Sequence, residues 1–344
     1  MASRGHGTLL IRICFCLSLL LAGRQVRAGS KGVPLILDTD IGSDVDDTYA
    51  LVLAARCPEI DLKAVTTVYG DVALRSAIAM KLLQLMGKGH IPVASGEEKA
   101  MDGHEIKMGG WEGKGLLKEG EVVSGVSKAH AADLIIEVLS QSREPVVVAS
   151  VGGLSNVALA LRKRPALRSK IRRFVIMGGS VRPFILQGKK IPEHLETNLH
   201  HDVDAAAQVL RAGVPVMLVP AEVTFQAKLF QRDFNRLREA VSPLAQTMTY
   251  MTEDFGTRLK VFMKNFGVDS YYEDMAALLH DPLAVYTEVD PGIVKTERVK
   301  IRIETEPGKI RTIEDTNGTV SINLVTGADF VRFSKLAADK VLEQ

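Results

Sequence analysis

Five aspartates fall within ten residues, in the run Asp38-Thr39-Asp40-Ile41-Gly42-Ser43-Asp44-Val45-Asp46-Asp47. Carboxylates this close repel one another unless a positive charge sits among them. Their hard oxygens suit a hard divalent cation, and Ca²⁺ or Mg²⁺ fits best. Gly42 allows a tight turn, and Asp46 and Asp47 open a helix, where negative charge is favourable. The spacing excludes an EF-hand, whose loop wants glycine at position six and glutamate at position twelve. Counted from Asp38, those places hold Ser43 and Tyr49. A dinucleotide fingerprint is absent as well. A solvated acidic helix start accounts for one or two of these aspartates, not for five directly behind an apolar strand.

Other segments carry polar groups of use at a site. In Glu196-Thr197-Asn198 a carboxylate and an amide stand two residues apart, a pairing that suits hydroxyl groups. Asp202 reads as a helix N-cap, and His200 and His201 read as surface or packing residues. The pair His280-Asp281 lies between apolar runs, where a charge needs a partner or a task. Histidine can move protons near neutral pH, and Asp281 is a candidate to join the first cluster. Glycine pairs end two apolar runs, at Gly152-Gly153 and Gly178-Gly179. Trp111 is either an aromatic wall or a loop anchor, with Phe225 and Tyr272 as further aromatic candidates.

The elements that position these groups alternate. Apolar, β-branched runs at 33–37, 62–68, 91–94, 145–151, 174–177 and 215–219 read as strands. Helical patterns at 46–57, 73–86, 154–161 and 205–211 lie between them, with a further helix to about Ser140 that Ser127 would cap and a closing helix from about Ala328. This order predicts an α/β fold, a mostly parallel central sheet with helices on both faces, Rossmann-like in plan. Such sheets bind ligands at the carboxyl ends of their strands, where the aspartates fall. Two polar, glycine-rich segments, 96–121 and 180–194, read as loops long enough to act as lids.

The chain of 344 residues is 46% hydrophobic and carries a net charge of +2, with no basic field for nucleic acid. Residues 1–28 read as a signal peptide, with an uncleaved N-terminal anchor as the alternative: Arg4 and Arg12 precede the apolar run Ile13–Ala22, and Val26-Arg27-Ala28 resembles a cleavage site. The expectation is one exported domain over 29–344, secreted or periplasmic, with no stable membrane insertion after cleavage. Cys57 is then the one mature cysteine, expected as buried filler. A dimer or tetramer is the expected assembly.

Taken together, the segments resemble the inosine-uridine preferring nucleoside hydrolase family, from about residue 33 to the C-terminus. The aspartate run resembles that family's N-terminal signature with two extra residues. In order follow Val68-Tyr69-Gly70-Asp71, Gly153-Leu154-Ser155-Asn156, Met177-Gly178-Gly179, Glu196-Thr197-Asn198 and His280-Asp281-Pro282. The resemblance implies hydrolysis of the N-glycosidic bond of ribonucleosides, with Ca²⁺ as cofactor. It implies Asp40, Asp47, Asp281 and the backbone carbonyl around Ser155 as metal ligands, and Asp40 as general base. It implies Asp46, Asp47, Asp71, Glu196 and Asn198 around the sugar, and His280 near the leaving base. The sequence departs from the family pattern at three places. Asp71 replaces an asparagine, Gly188-Lys189-Lys190 stands where a glycine–asparagine stretch is usual, and Thr197 replaces an aromatic residue. Two other readings remain. Asp38-Thr39-Asp40 mimics the nucleophile loop of haloacid-dehalogenase-like phosphatases, though Gly42 stands where that loop wants Thr or Val. An exported Ca²⁺-dependent nucleoside or sugar receptor without turnover is the other.

Overall fold

Side-chain alternation along the first strand sets the architecture. Strand β1 (Val33–Thr39) sends Leu35 and Leu37 into one apolar cluster and Ile36 into another. Successive residues of a strand point to opposite faces, so both faces of this strand must be covered. The computed structural model describes residues 32–186, 188–191, 196–265 and 273–343. The leader, with Cys14 and Cys16, and Tyr272 lie outside the described residues. Residues from Lys31 onward cluster as one compact unit.

In chain order, β1 is followed by α1 (Asp46–Arg56), β2 (Ile60–Thr67), α2 (Val72–Leu85), β3 (Val93–Ser95), β4 (Val126–Ser127), α3 (Ala131–Gln141), β5 (Val146–Ser150), α4 (Ser155–Lys163) and β6 (Ile171–Met177). A short hairpin, β7 (Ile185–Leu186) and β8 (Lys189–Lys190), precedes α5 (Val203–Leu210), β9 (Val216–Val219) and α6 (Ala221–Thr224). Then come β10 (Lys228–Phe230), α7 (Gln231–Arg238), α8 (Pro243–Lys264), β11 (Met275–Leu278) and α9 (His280–Tyr286). The chain closes with β12 (Val294–Glu306), β13 (Lys309–Glu314), β14 (Val320–Ala328) and α10 (Phe330–Leu342).

Ten strands form one sheet in the order β13-β12-β14-β9-β6-β5-β1-β2-β3-β4. From β14 to β4 every pairing is parallel, and only the β12 pairings are antiparallel. Helices α1, α2, α7, α8, α9 and α10 contribute to the apolar cluster of Leu35, and α3, α4 and α5 to that of Ile36. The mostly parallel α/β sheet with helices on both faces is therefore as the sequence predicts. Among the described residues, no helix is long and apolar enough to cross a membrane. Cys57 is buried and free, and burial pushes its thiol up to about 12, consistent with an inert filler.

Two local expectations differ. Ser127 does not cap α3; it ends β4 and accepts a hydrogen bond from Ala129 N at 3.1 Å. His130 caps the helix instead, its Nδ1 accepting from Ala132 N at 3.2 Å. Helix α8 has no counterpart in the sequence reading, although Leu244, Met248, Met251, Phe255 and Leu259 recur at helical spacing. Its polar and glycine-containing turns mask that stripe.

Candidate active site

The first aspartate of the run is structural. Asp38 is fully buried and accepts hydrogen bonds from Thr66 Oγ1 (2.6 Å), Asn156 Nδ2 (2.9 Å) and Ser150 Oγ (3.4 Å). It thus ties β1 to β2, β5 and the start of α4. Burial pushes its carboxyl up to about 7, against those hydrogen bonds. Beyond it the chain leaves the sheet through Gly42, whose φ of 114° a side chain would strain.

The remaining aspartates line a cavity of about 460 Å³ at the carboxyl ends of the strands. Asp46 and Asp47 open α1, and Asp281 opens α9 from the far end of the chain. One carboxylate oxygen from each lies within 4.8 Å of the others. Asp281 N also donates to Asp46 Oδ2 at 3.3 Å, and Thr39 Oγ1 donates to Asp47 Oδ1. All three side chains are buried. Burial raises each carboxyl well above the usual range, and neighbouring carboxylates push further: Asp44 on Asp46, Asp40 on Asp47, and Asp46 on Asp281. Three buried carboxylates that resist ionising together are what a hard cation would neutralise, so the donor set fits a hard divalent cation.

Asp40 lines the same cavity, close against Gly152: a Cβ there would stand 2.8 Å from both Asp40 N and Oδ1. The turn after Asp40 is braced by Arg75, which is 1% exposed. Its guanidinium donates to the carbonyls of Asp40 and Ile41 and to Ser43 Oγ, while its Nε donates to Tyr69 O at 2.7 Å. Tyr69 is the one non-glycine residue with positive φ among those described (66°). Its backbone is held by Arg75, and its hydroxyl pairs with Ser155 Oγ at 2.8 Å.

The cavity has two chemically different ends. One is apolar: Phe225, Phe255, Leu259, Met263 and Leu278 line it beside His280. Phe225 packs edge-on to His280 at 4.7 Å, and His280 Nδ1 pairs with Thr224 Oγ1 at 2.8 Å. Burial lowers His280 to about 4, which leaves the imidazole neutral at pH 7. The other end is polar, with Glu196, Asn198 and His201. Asn198 Nδ2 donates to Val151 O (2.7 Å) and Met177 O (3.1 Å), which leaves its Oδ1 as the available group. Glu196 accepts from Leu199 N at 3.0 Å and pairs with His200 Nδ1 at 3.2 Å.

Trp111 proves to be both wall and anchor. It lines the cavity, donates its indole N–H to Ser43 O at 2.7 Å, and carries the Arg258 guanidinium 4.6 Å from its ring centroid. Glu112 accepts from Gly109 N (2.6 Å), Gly110 N (2.7 Å) and Ser43 Oγ (3.3 Å), so the long loop is fastened to the aspartate turn.

The cavity therefore brings together Asp40, Asp46, Asp47, Glu196, Asn198, His280 and Asp281. Asp71 is a correction. It is exposed, caps α2 by accepting from Leu74 N at 2.9 Å, and stands outside the cavity lining. Ser155 also stands outside the lining, fully buried, with its hydroxyl donated to Asp202 Oδ2. Asp202 caps α5 as expected, accepting from Ala205 N at 3.0 Å. Sequence reasoning missed Arg75, Arg258 and the cavity-lining His201. Arg75 stands one residue before Ser76 on α2, and a charge amid the buried positions of that helix was the available signal.

A cavity holding a carboxylate cluster at the carboxyl ends of a parallel sheet is where α/β enzymes place their sites. The family model for inosine-uridine preferring nucleoside hydrolases matches residues 35–335. A pyrimidine-specific ribonucleoside hydrolase, RihA of Escherichia coli, is 30% identical over 321 residues, covering 90% of this chain and 98% of its own. Among solved structures, a purine-preferring ribonucleoside hydrolase from Gardnerella vaginalis matches with a TM-score of 0.76 at 26% identity, over 90% of this chain and 98% of its own. A plant nucleoside hydrolase shares the fold with a TM-score of 0.77 at 21% identity, over 91% and 99% of the two chains. The chain belongs to the inosine-uridine preferring nucleoside hydrolase family. It is a glycosidase acting on N-glycosyl compounds.

Proposed function

We propose that the protein hydrolyses ribonucleosides to free base and ribose, with Ca²⁺ at the carboxylate cluster and Asp40 as general base. The observation that carries this reading is the meeting of Asp46, Asp47 and Asp281 in a cavity with one apolar and one polar end. Asp47 and Asp281 belong both to the ligand set that the resemblance implies and to the observed cluster, so they would hold the ion, with Asp40 and Asp46 beside them. When bound there, the ion would neutralise the carboxylates and supply Lewis acidity toward the attacking water.

The residues divide the remaining work. Asp40, held at the edge of the cluster by the Gly152 approach and the Arg75 brace, accepts the proton of the attacking water. Glu196 and the Oδ1 of Asn198 accept from sugar hydroxyls and hold the ring over the carboxylates. Those carboxylates stabilise the positive charge that grows on the sugar as the glycosidic bond breaks. The apolar end takes the departing base. There the neutral His280 offers it a hydrogen bond, a weaker acid than an imidazolium would be.

Asp40→Asn tests the assignment, because it keeps the shape and removes the base. Base release is expected to fall by about 100- to 10,000-fold, with the fold intact by circular dichroism; activity within a few-fold of wild type would refute the role. A phosphatase reading predicts cleavage of p-nitrophenyl phosphate, which we expect the protein to leave untouched. A receptor reading predicts nucleoside binding without base release. The apolar leader supports a secreted or periplasmic location for a single domain beginning near residue 29, and N-terminal sequencing of the exported protein tests both.

A further inference from the structure

We propose that His201 is a sugar-recognising residue, donating a hydrogen bond to the primary hydroxyl of the ribose at the polar end of the cavity. The inference rests on the ribonucleoside reading above and adds a residue that the sequence marks only as surface or packing.

Donor–acceptor accounting at that end points to it. A hydroxyl both donates and accepts, so a site that holds one needs an acceptor and a donor. Acceptors are plentiful: the Glu196 carboxylate, and Asn198 Oδ1, whose amide nitrogen is already engaged with Val151 O and Met177 O. Donors are scarce. Thr197 and Lys107 line the cavity but are exposed, and the Arg258 guanidinium is engaged by Asp254 and the Trp111 ring. Arg75 also lines it, yet its guanidinium is spent on Asp40, Ile41, Ser43 and Tyr69. His201 lines the cavity, and its Nδ1 is enclosed without a hydrogen-bond partner. The enclosed Nδ1 is out of a ligand's reach, which leaves Nε2, neither enclosed nor hydrogen-bonded, as the N–H that can donate into the cavity.

The ring is held for the task. Its edge packs on Tyr69 with centroids 5.5 Å apart and planes at 90°, and its backbone N–H donates to Thr197 O at 2.7 Å. Tyr69 is itself fixed by Arg75 and Ser155. Burial lowers the His201 pKa despite the nearby charges of Asp40 and Glu196. A neutral imidazole keeps one N–H donor and one acceptor, which matches a hydroxyl better than an imidazolium would. The choice of hydroxyl follows from the cavity. The base occupies the apolar end and the vicinal diol faces the carboxylates. The hydroxymethyl arm, on the ring edge away from the diol, is left for Glu196 and His201.

The test compares a ribonucleoside with its 5′-deoxy analogue on the Ca²⁺-loaded protein, for wild type, His201→Ala and His201→Gln. In wild type the 5′-deoxy compound should be poorer. His201→Ala should lose about tenfold in kcat/KM on the ribonucleoside, the scale of one neutral hydrogen bond, and change little on the 5′-deoxy analogue. His201→Gln, which keeps a donor, should recover part of the loss. An equal loss on both substrates would make His201 structural and overturn the proposal, as would no loss at all. If wild type releases no base from either compound, the ribonucleoside reading fails on its own. Calorimetric binding of the two nucleosides then decides His201: a preference for the 5′-hydroxyl compound that His201→Ala erases supports it, and equal affinities overturn it.

Discussion

The floor and the cover of the cavity are built in opposite ways. The floor consists of carboxylates fixed by the start of α1, the start of α9 and the turn after β1, all anchored in the sheet. Its chemistry is charge held in place by burial and by Arg75. The cover comes from the 96–125 loop and α8, with the β7–β8 hairpin packed behind α8. Trp111 on Arg258 joins the loop to α8, and a small apolar cluster joins Phe184 and Leu186 to Phe225 and Leu259, while Glu112 on Ser43 fastens the loop to the floor. The floor is generic to the bond being broken; the cover decides what fits above it. Reaction type and base preference should therefore respond to different substitutions.

The largest expected effect breaks the floor. Asp47→Asn removes a carboxylate shared by the implied ligand set and the observed cluster, and base release should fall to background. The Ca²⁺-induced rise in Tm should vanish with it. A normal Ca²⁺ shift in this variant would place the ion elsewhere.

Next is a pH dependence confined to the floor. In the ion-free fold, Asp38 is pushed up to about 7 and Asp46, Asp47 and Asp281 well above their ordinary value of 3.8. Folded carboxyls with raised pKa values contribute stability that is fully present below the unfolded value and is lost as pH rises through the folded values. The Tm of the ion-free protein should therefore fall as pH rises from about 4 through about 7. Ca²⁺ binding displaces those protons, so the Tm gain on adding Ca²⁺ should be larger at pH 8 than at pH 5. A gain independent of pH, read by calorimetry, would contradict the burial of these groups.

Trp111→Ala sharpens the comparison from the cover side. Losing an aromatic wall should raise KM by about tenfold, the low end of base–aromatic stacking, with kcat less affected. Because Trp111 also holds Ser43 O, Ca²⁺ affinity is the informative second readout. Unchanged affinity keeps floor and cover separable, and a parallel loss shows that the Ser43 contact supports the aspartate turn. The smallest effect is expected from Arg182→Ala. Arg182 pairs with Glu297 (2.6 Å) and Glu314 (2.8 Å) at a largely exposed site. Such pairs contribute about 0–1 kcal/mol, so Tm should move by a few degrees at most and kcat hardly at all.

The same contrast explains what the sequence made legible. Asp40, Asp46 and Asp47 are close in the chain, and their crowding alone signals a cation site. Asp281 joined them through its motif, although it reaches Asp46 across 235 residues. The parallel sheet followed from apolar runs buried on both faces, as in β5. The cover was harder to read because its contacts are long-range and its residue types are ordinary. Nothing near Arg258 announces that it lies over Trp111, and nothing in the local sequence distinguishes His201 from the adjacent His200. Asp71 shows the reverse failure. Position within a motif suggested a sugar contact, whereas the local need of α2 for a capping acceptor fixes its side chain outward.

The central claim is tested most directly by following release of free base from a panel of purine and pyrimidine ribonucleosides by chromatography, before and after chelation of divalent ions and after Ca²⁺ is restored. The account predicts release that chelation abolishes and Ca²⁺ recovers. Release undiminished by the chelator, or no release from any member by the folded, Ca²⁺-loaded protein, would contradict it.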